Sequence, residues 1–226
     1  MDFLNHLPYL SAAFCVLAYL VGSIPSSVWV GKTFYGIDVR DHGSGNAGAT
    51  NTFRVLGKKP GIIVLLMDIL KGYTAASLVY LIPYISEIHL DTYLIVNFKL
   101  GFGFCAVIGH LVPLFANFKG GKGVATLGGL IIAMDWIVAV IAIGIFLLAL
   151  FVTRFVSLGS MLGGISVPVL FVSIFGANHL EYRQPSVVIF TVIIAILVVY
   201  THRKNINRLI QGNENKANLL PKHRKG

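Results

Sequence analysis

Apolar runs of twenty or so residues recur along nearly the whole chain, and no soluble fold has enough interior to hide them. A soluble amphipathic helix keeps a polar face, whereas 187–200 is apolar all round. Within hydrocarbon every backbone amide must be satisfied inside its own segment, so runs of this length are read as helices. Hydropathy and chain breakers place them at 7–32, 61–85, 93–116, 124–134, 136–153, 158–176 and 185–204. The expected fold is an all-α integral membrane protein, a bundle of seven transmembrane helices over 1–204 with a short basic tail after it, 205–226. The fourth run has 11 residues, too few to cross about 30 Å of hydrocarbon. It is either a half-crossing or fused to the fifth in a six-span arrangement. Asp135 beside Trp136 reads as an interfacial turn and favours a break there. The first run is preceded by no Lys or Arg and has no small-residue cleavage pattern at its end, so it is read as a span and not a signal peptide.

Orientation comes from the basic residues. With the N-terminus outside, the inner connections hold Lys32, Arg40, Arg54, Lys58, Lys59, Lys119, Lys122, Arg154 and seven more between Arg203 and Lys225. Arg183 alone lies outside, among Glu87, Asp91, Asp135 and Glu181. This asymmetry is a positive-inside signal, and it puts the C-terminus in the cytoplasm, as an odd number of crossings requires. It also accounts for the net charge of +9 without nucleic acid as a partner. Cys15 and Cys105 sit in apolar runs with no second ligand at metal spacing, which supports neither a disulfide framework nor a metal site.

Three polar segments fall on the same cytoplasmic side. The first is 43–54 (GSGNAGATNTFR), where three glycines are packed with Ser44, Asn46, Thr50, Asn51 and Arg54. Glycines such as Gly43 and Gly45 let backbone approach a ligand, successive amides form a donor nest, and arginine matches an anion's charge. The second is 118–126 (FKGGKGVAT), downstream of His110, and the third is the HRKN run 202–205. Brought together, they would surround a phosphate with Arg54, Lys122, Thr50, Asn51, Asn205 and the loop amides. Singly, each has a plainer reading, as a capped turn, a set of interfacial cations, or a helix end. Asp68 and Lys71 share a face of the second span and read as a self-neutralising brace beneath the first loop. His110 reads as a hydrogen-bonded structural residue before it reads as a catalyst.

Absences narrow the chemistry. KGGKG lacks the Ser or Thr of a nucleotide P-loop, and no G-x-S-x-G elbow, H-E-x-x-H ligand pair or H-x4-D acyltransferase pair occurs. An enzyme built this way would position charge around an already activated substrate. A phosphate-ester transporter would want the same glycines and cations, but it needs an anion site open to both sides, and the outer connections offer one arginine.

Six motifs in order, GSIP (22–25), G-x-D-x-R (36–40), GSGNAGATNTFRVLG (43–57), D-x-x-KG (68–72), GHLVP with FKGGKGVAT, and HRKNINRLIQGNE (202–214), resemble the bacterial acyl-phosphate-dependent glycerol-3-phosphate acyltransferases, the PlsY family. The resemblance implies a seven-span bundle in the bacterial inner membrane with its site facing the cytoplasm. It implies transfer of a fatty acyl group from acyl phosphate to the 1-hydroxyl of glycerol 3-phosphate, giving lysophosphatidic acid and phosphate, the first step of phospholipid synthesis. No cofactor or metal is implied, and the partners are the two substrates, membrane lipid and the enzyme that makes acyl phosphate. Carried onto this chain, Gly43, Gly45, Thr50, Asn51, Arg54, Lys122 and Asn205 hold phosphate with the Gly121 and Gly123 amides. Ser44 and Asn46 orient the reacting groups, with Ser44 near the acyl carbonyl. His202 either positions this cluster or removes the hydroxyl proton, a task that an oxygen of the acyl phosphate can also perform.

Overall fold

The computed structural model describes residues 3–86, 88–175 and 180–217. Glu87, Gly176 and the basic stretch 218–226, on which parts of the charge and span readings rest, lie outside them. The described residues form α1 (Phe3–Gly22), α2 (Ser26–Tyr35), α3 (Ala49–Leu56), α4 (Lys58–Ser77), α5 (Ile82–Ser86), α6 (Thr92–Leu111), α7 (Val124–Met134), α8 (Trp136–Thr153), α9 (Val156–Val169), α10 (Pro185–Thr201) and α11 (Arg203–Ile210), with short 3-10 and π turns between some of them.

Among the described residues, five segments are long and apolar enough to cross a membrane: Leu7–Tyr35, Lys58–Ser86, Thr92–Ala116, Trp136–Thr153 and Val156–Ser173. A sixth is the pair α10 and α11, if it is counted as one span despite its 56° bend at His202. α7 is apolar but has 11 residues, about 16 Å of helix at 1.5 Å per residue. It stops at Met134 because Asp135 turns extended and caps α8, accepting from the Ile137 and Val138 amides at 2.8 and 3.1 Å.

The expected single first helix over 7–32 is interrupted. Pro25 has no amide to give to a continuing ladder, so α1 ends at Gly22 and α2 restarts at Ser26. The α11 helix runs across the expected boundary between bundle and tail at 204/205, and the segment after it folds back. The Ala217 amide donates to Arg154 O at 2.7 Å, so 211–217 packs on the start of α9.

Small residues let the inner helices approach closely, as membrane bundles require where burial of apolar surface supplies little drive. A Cβ built on Gly22 would lie 2.1 Å from Ala106 O, which seats α1 on α6. A Cβ on Gly72 would lie 2.0 Å from Thr126 O, which seats α4 on the short α7. The core between α6, α7, α8, α9 and α10 is filled by Leu130, Val138, Phe171 and Ile194 among others, while α8 turns Leu148, Phe151 and Val152 outward. α4 is thereby fixed directly under α3 and the loop before it. The expected brace is present: Lys71 Nζ lies 2.9 Å from Asp68 Oδ1, with both side chains almost fully buried.

Candidate functional site

The first loop owes its shape to Asn51, near the start of α3. Its side chain is 1% exposed and uses every hydrogen-bonding position it has. Oδ1 accepts from the Ser44 amide at 2.8 Å and from the Ser44 hydroxyl at 3.1 Å, and Nδ2 donates to Val39 O and His42 O at 2.7 and 3.1 Å. Gly43 and Gly45 turn through left-handed backbone at φ 63° and 70°, which explains the glycines on either side of Ser44. The structure therefore places Asn51 as a staple for the loop and not as an open phosphate ligand, while Ser44 and Thr50 are exposed at its surface and Asn46 is half-buried. Replacing Asn51 with Leu strands the Ser44 amide and two carbonyls. The expected cost is about 1–3 kcal/mol of stability, read by thermal unfolding in detergent. Unchanged stability would contradict the staple.

The second loop is tied to the first by Arg40. Its guanidinium grips the Asp38 carboxylate through two bonds, 3.0 and 2.7 Å, and reaches across to Ala116 O at 2.9 Å and Lys119 O at 3.4 Å. The Arg40 hydrogen bond holds the Asp38 carboxyl well below the usual carboxylate range, with Lys32 adding to the effect, and Asp38 in turn raises Arg40. A cleft of about 320 Å³ opens between the two loops, lined by Arg40, Asp41, Gly45, Asn117, Lys119 and Gly120. The helices leaving the loops, α3 and α7, both start at a glycine, Gly48 and Gly123, with no side-chain cap on their first amides. Uncapped helix N-termini favour anions.

The third segment meets the second through Lys122, whose Nζ donates to Asn205 Oδ1. Asn205 Nδ2 donates to Glu214 Oε1 at 2.7 Å, and Ser157 Oγ and Arg208 Nε also donate to that carboxylate, at 2.9 and 2.7 Å. Burial works to raise the Glu214 carboxyl, but these three hydrogen bonds outweigh it and leave it below its ordinary value. His202 is 2% exposed, and its Nδ1 lies 2.8 Å from Val198 O. That contact makes Nδ1 the donor and leaves Nε2 as the nitrogen able to accept. Arg54 is exposed and makes no hydrogen bond or ion pair among the described residues, yet its charge reaches Lys122. Burial pushes Lys122 down to about 8, with Arg208 and Arg54 adding to the fall and Glu214 opposing it.

All three segments therefore converge, with the 118–123 loop in the middle. Arg54 is left without a hydrogen bond or ion pair among the described residues, while Asn51 holds Ser44 and Asn205 holds Lys122. Asp38, Arg40 and Glu214 lie within the motifs of the chain but outside the candidate site residues that the sequence suggests. The i, i+2 acid-base pair 38/40 and a lone carboxylate in an otherwise basic tail were the available signals.

Comparison with known proteins agrees with this architecture. The model of the glycerol-3-phosphate acyltransferase family matches residues 12–212. A glycerol-3-phosphate acyltransferase of Listeria monocytogenes is 45% identical, covering 91% of this chain and 96% of its own. One from Pelodictyon phaeoclathratiforme is 40% identical, covering 93% and 98%. The crystal structure of PlsY, an integral membrane glycerol 3-phosphate acyltransferase, in its glycerol 3-phosphate form superposes with a TM-score of 0.75 at 36% identity, over 92% of this chain and 95% of that one. Its lysophosphatidic acid form gives 0.73 at the same identity.

Proposed function

The chain belongs to the PlsY family of glycerol-3-phosphate acyltransferases, multi-pass integral membrane enzymes, and from that premise we propose that it transfers a fatty acyl group directly from acyl phosphate to the 1-hydroxyl of glycerol 3-phosphate. In this scheme the hydroxyl oxygen attacks the acyl carbonyl carbon, the bond from that carbon to the phosphate oxygen breaks, and the hydroxyl proton leaves on the departing phosphate. The products are 1-acyl-glycerol 3-phosphate and inorganic phosphate. A mixed anhydride already carries a good leaving group, so no covalent acyl-enzyme is required. The observation that carries the reading is that the loops flanking a polar cleft lead into two uncapped helix starts and carry Arg54 and Lys122, whose charges interact, with no serine elbow among the motifs.

Arg54, Lys122, Thr50 and the amides of Gly121 and Gly123 bind the phosphates in this scheme. Ser44 and Asn46 face the acyl carbonyl, and Asn51 and Asn205 act by holding Ser44 and Lys122 in place. His202 positions the cluster through its fixed ring. The bundle has seven membrane helices, the short α7 among them, with the N-terminus outside and the site at the cytoplasmic face of the bacterial inner membrane. The basic connections support that orientation. Purified protein given palmitoyl phosphate and glycerol 3-phosphate should yield lysophosphatidate, whereas palmitoyl thioesters should not serve as donor. Turnover with the thioester alone would overturn the donor assignment.

The Lys122 ammonium supplies a pH signature. Its folded value of about 8 lies below its ordinary 10.5. Between these two values the unfolded chain holds a proton that the folded chain has released, so this group makes stability rise with pH there. Phosphate binding runs the other way and weakens as pH climbs through about 8. The quantity kcat/KM for glycerol 3-phosphate reports groups of the free enzyme, so it should show a falling alkaline limb near that value. Lys122→Arg, which stays charged, should remove the limb; a limb that persists in the variant belongs to another group.

A further inference from the structure

Beneath the two loops lies a cluster of ionisable groups to which the acyl-transfer scheme gives no task. Ser26, Asp68, Lys71 and His110 are 2%, 2%, 5% and 6% exposed and come from α2, α4 and α6. A single atom, Asp68 Oδ1, gathers the other three. Ser26 Oγ donates to it at 2.9 Å, Lys71 Nζ lies 2.9 Å away and His110 Nδ1 3.6 Å away. Lys71 Nζ also donates to Ile24 O at 3.1 Å. Stability alone is a poor reason for such a group, because apolar side chains of similar volume often serve as well in place of a buried ion pair.

Its position supplies a reason. The Gly121 amide donates to His110 O at 3.1 Å, and a Cβ built on Gly121 would lie 2.2 Å from His110 Nε2 and 2.7 Å from Ala47 O. A Cβ on Gly120 would meet His110 O at 2.0 Å. A small cavity is lined by Ser26, Lys71 and His110 from the cluster, by Ala47 from the first loop and by Gly120 from the second. The cluster thus lies against the second loop and shares a cavity with the first, and Gly121 sits between His110 and Ala47. Asp68 faces one edge of the imidazole, and the other edge is the surface against which Gly121 rests.

Building on the acyl-transfer reading, we propose that Ser26, Asp68, Lys71 and His110 form a buried post that sets the spacing of the two loops, with His110 a positioning residue for capture of glycerol 3-phosphate. Lys71 and Ser26 hold the carboxylate, the carboxylate faces the ring, and the ring sets where the Gly121 amide and the adjoining Lys122 stand. Loosening the post therefore weakens ground-state capture of the phosphate more than the transfer step.

Steady-state kinetics and glycerol 3-phosphate-induced thermal stabilisation, both in detergent, test this on His110→Phe and Ser26→Ala. His110→Phe should raise KM for glycerol 3-phosphate by roughly tenfold with kcat within about threefold of wild type, and should shrink the ligand-induced rise in Tm. Ser26→Ala removes one hydroxyl and should shift both readouts the same way by a smaller factor; it decides the matter if His110→Phe does not fold. Folded variants with an unchanged KM and an unchanged ligand shift overturn the post, as does a loss confined to kcat. A wild-type protein that is neither stabilised by glycerol 3-phosphate nor active with it overturns the underlying acyl-transfer reading instead, and the post with it.

Discussion

Arg54→Ala is expected to lower kcat/KM for glycerol 3-phosphate by on the order of a hundredfold or more, about 3 kcal/mol of lost transition-state stabilisation. Arg54 is the open cation of the site: it is exposed, makes no hydrogen bond or ion pair among the described residues, and stands close enough for its charge to depress Lys122. A guanidinium kept free beside a second cation is repelled until an anion arrives. Pairing with phosphate then gains two directed, charge-assisted hydrogen bonds. Lys at this position would supply charge without the fork, so Arg54→Lys should recover only part of the loss. Steady-state assays on protein of unchanged thermal stability read the effect, and activity within twofold of wild type for Arg54→Ala would remove Arg54 from the site.

Asp68→Ala should produce the largest fall in stability, about 3–5 kcal/mol, because it leaves Lys71 buried without its counter-charge. Lys71 is 5% exposed and its remaining hydrogen bond is to Ile24 O, so little solvent is available to compensate. Ser26 loses its acceptor in the same step, and His110 loses the carboxylate 3.6 Å from its Nδ1. Thermal unfolding in detergent should fall markedly for Asp68→Ala. The double variant Asp68→Leu with Lys71→Met removes both charges and should recover much of the loss. Equal stability of Asp68→Ala and wild type would mean that the ion pair contributes nothing to the fold.

Much of this architecture is legible in the residue order, for physical reasons that differ from element to element. The α7–α8 break at Asp135 and the extent of α8 come from local hydropathy and one capping carboxylate, both properties of short windows. The interruption at Pro25 inside an apolar run is equally local but is hidden by composition, since hydropathy does not register a missing amide. The site shows the same division. Glycines beside Ser44 and around Lys122 advertise close backbone approach, and the two segments that carry them do meet in space, with the glycine-free 202–205 run joined to the second through Lys122 and Asn205. Direction is what residue type cannot give. Asn51 offers donors and acceptors, yet all four point into the loop. Glu214 receives Ser157 from 57 positions away, a contact to which no spacing rule applies. His110 looks like an ordinary helix-end histidine until Gly121 is seen lying against its ring.

Direct transfer without an acyl-enzyme is the central claim, and a rapid-quench experiment addresses it with the purified protein. Enzyme is mixed with radiolabelled acyl phosphate, first without and then with glycerol 3-phosphate, while inorganic phosphate and protein-bound acyl label are tracked together. Direct transfer predicts no phosphate release and no acylated protein in the first mixture. On addition of glycerol 3-phosphate, phosphate and lysophosphatidate should appear in equal amounts. A burst of phosphate before glycerol 3-phosphate is added, matched by acyl label on the protein, would contradict it.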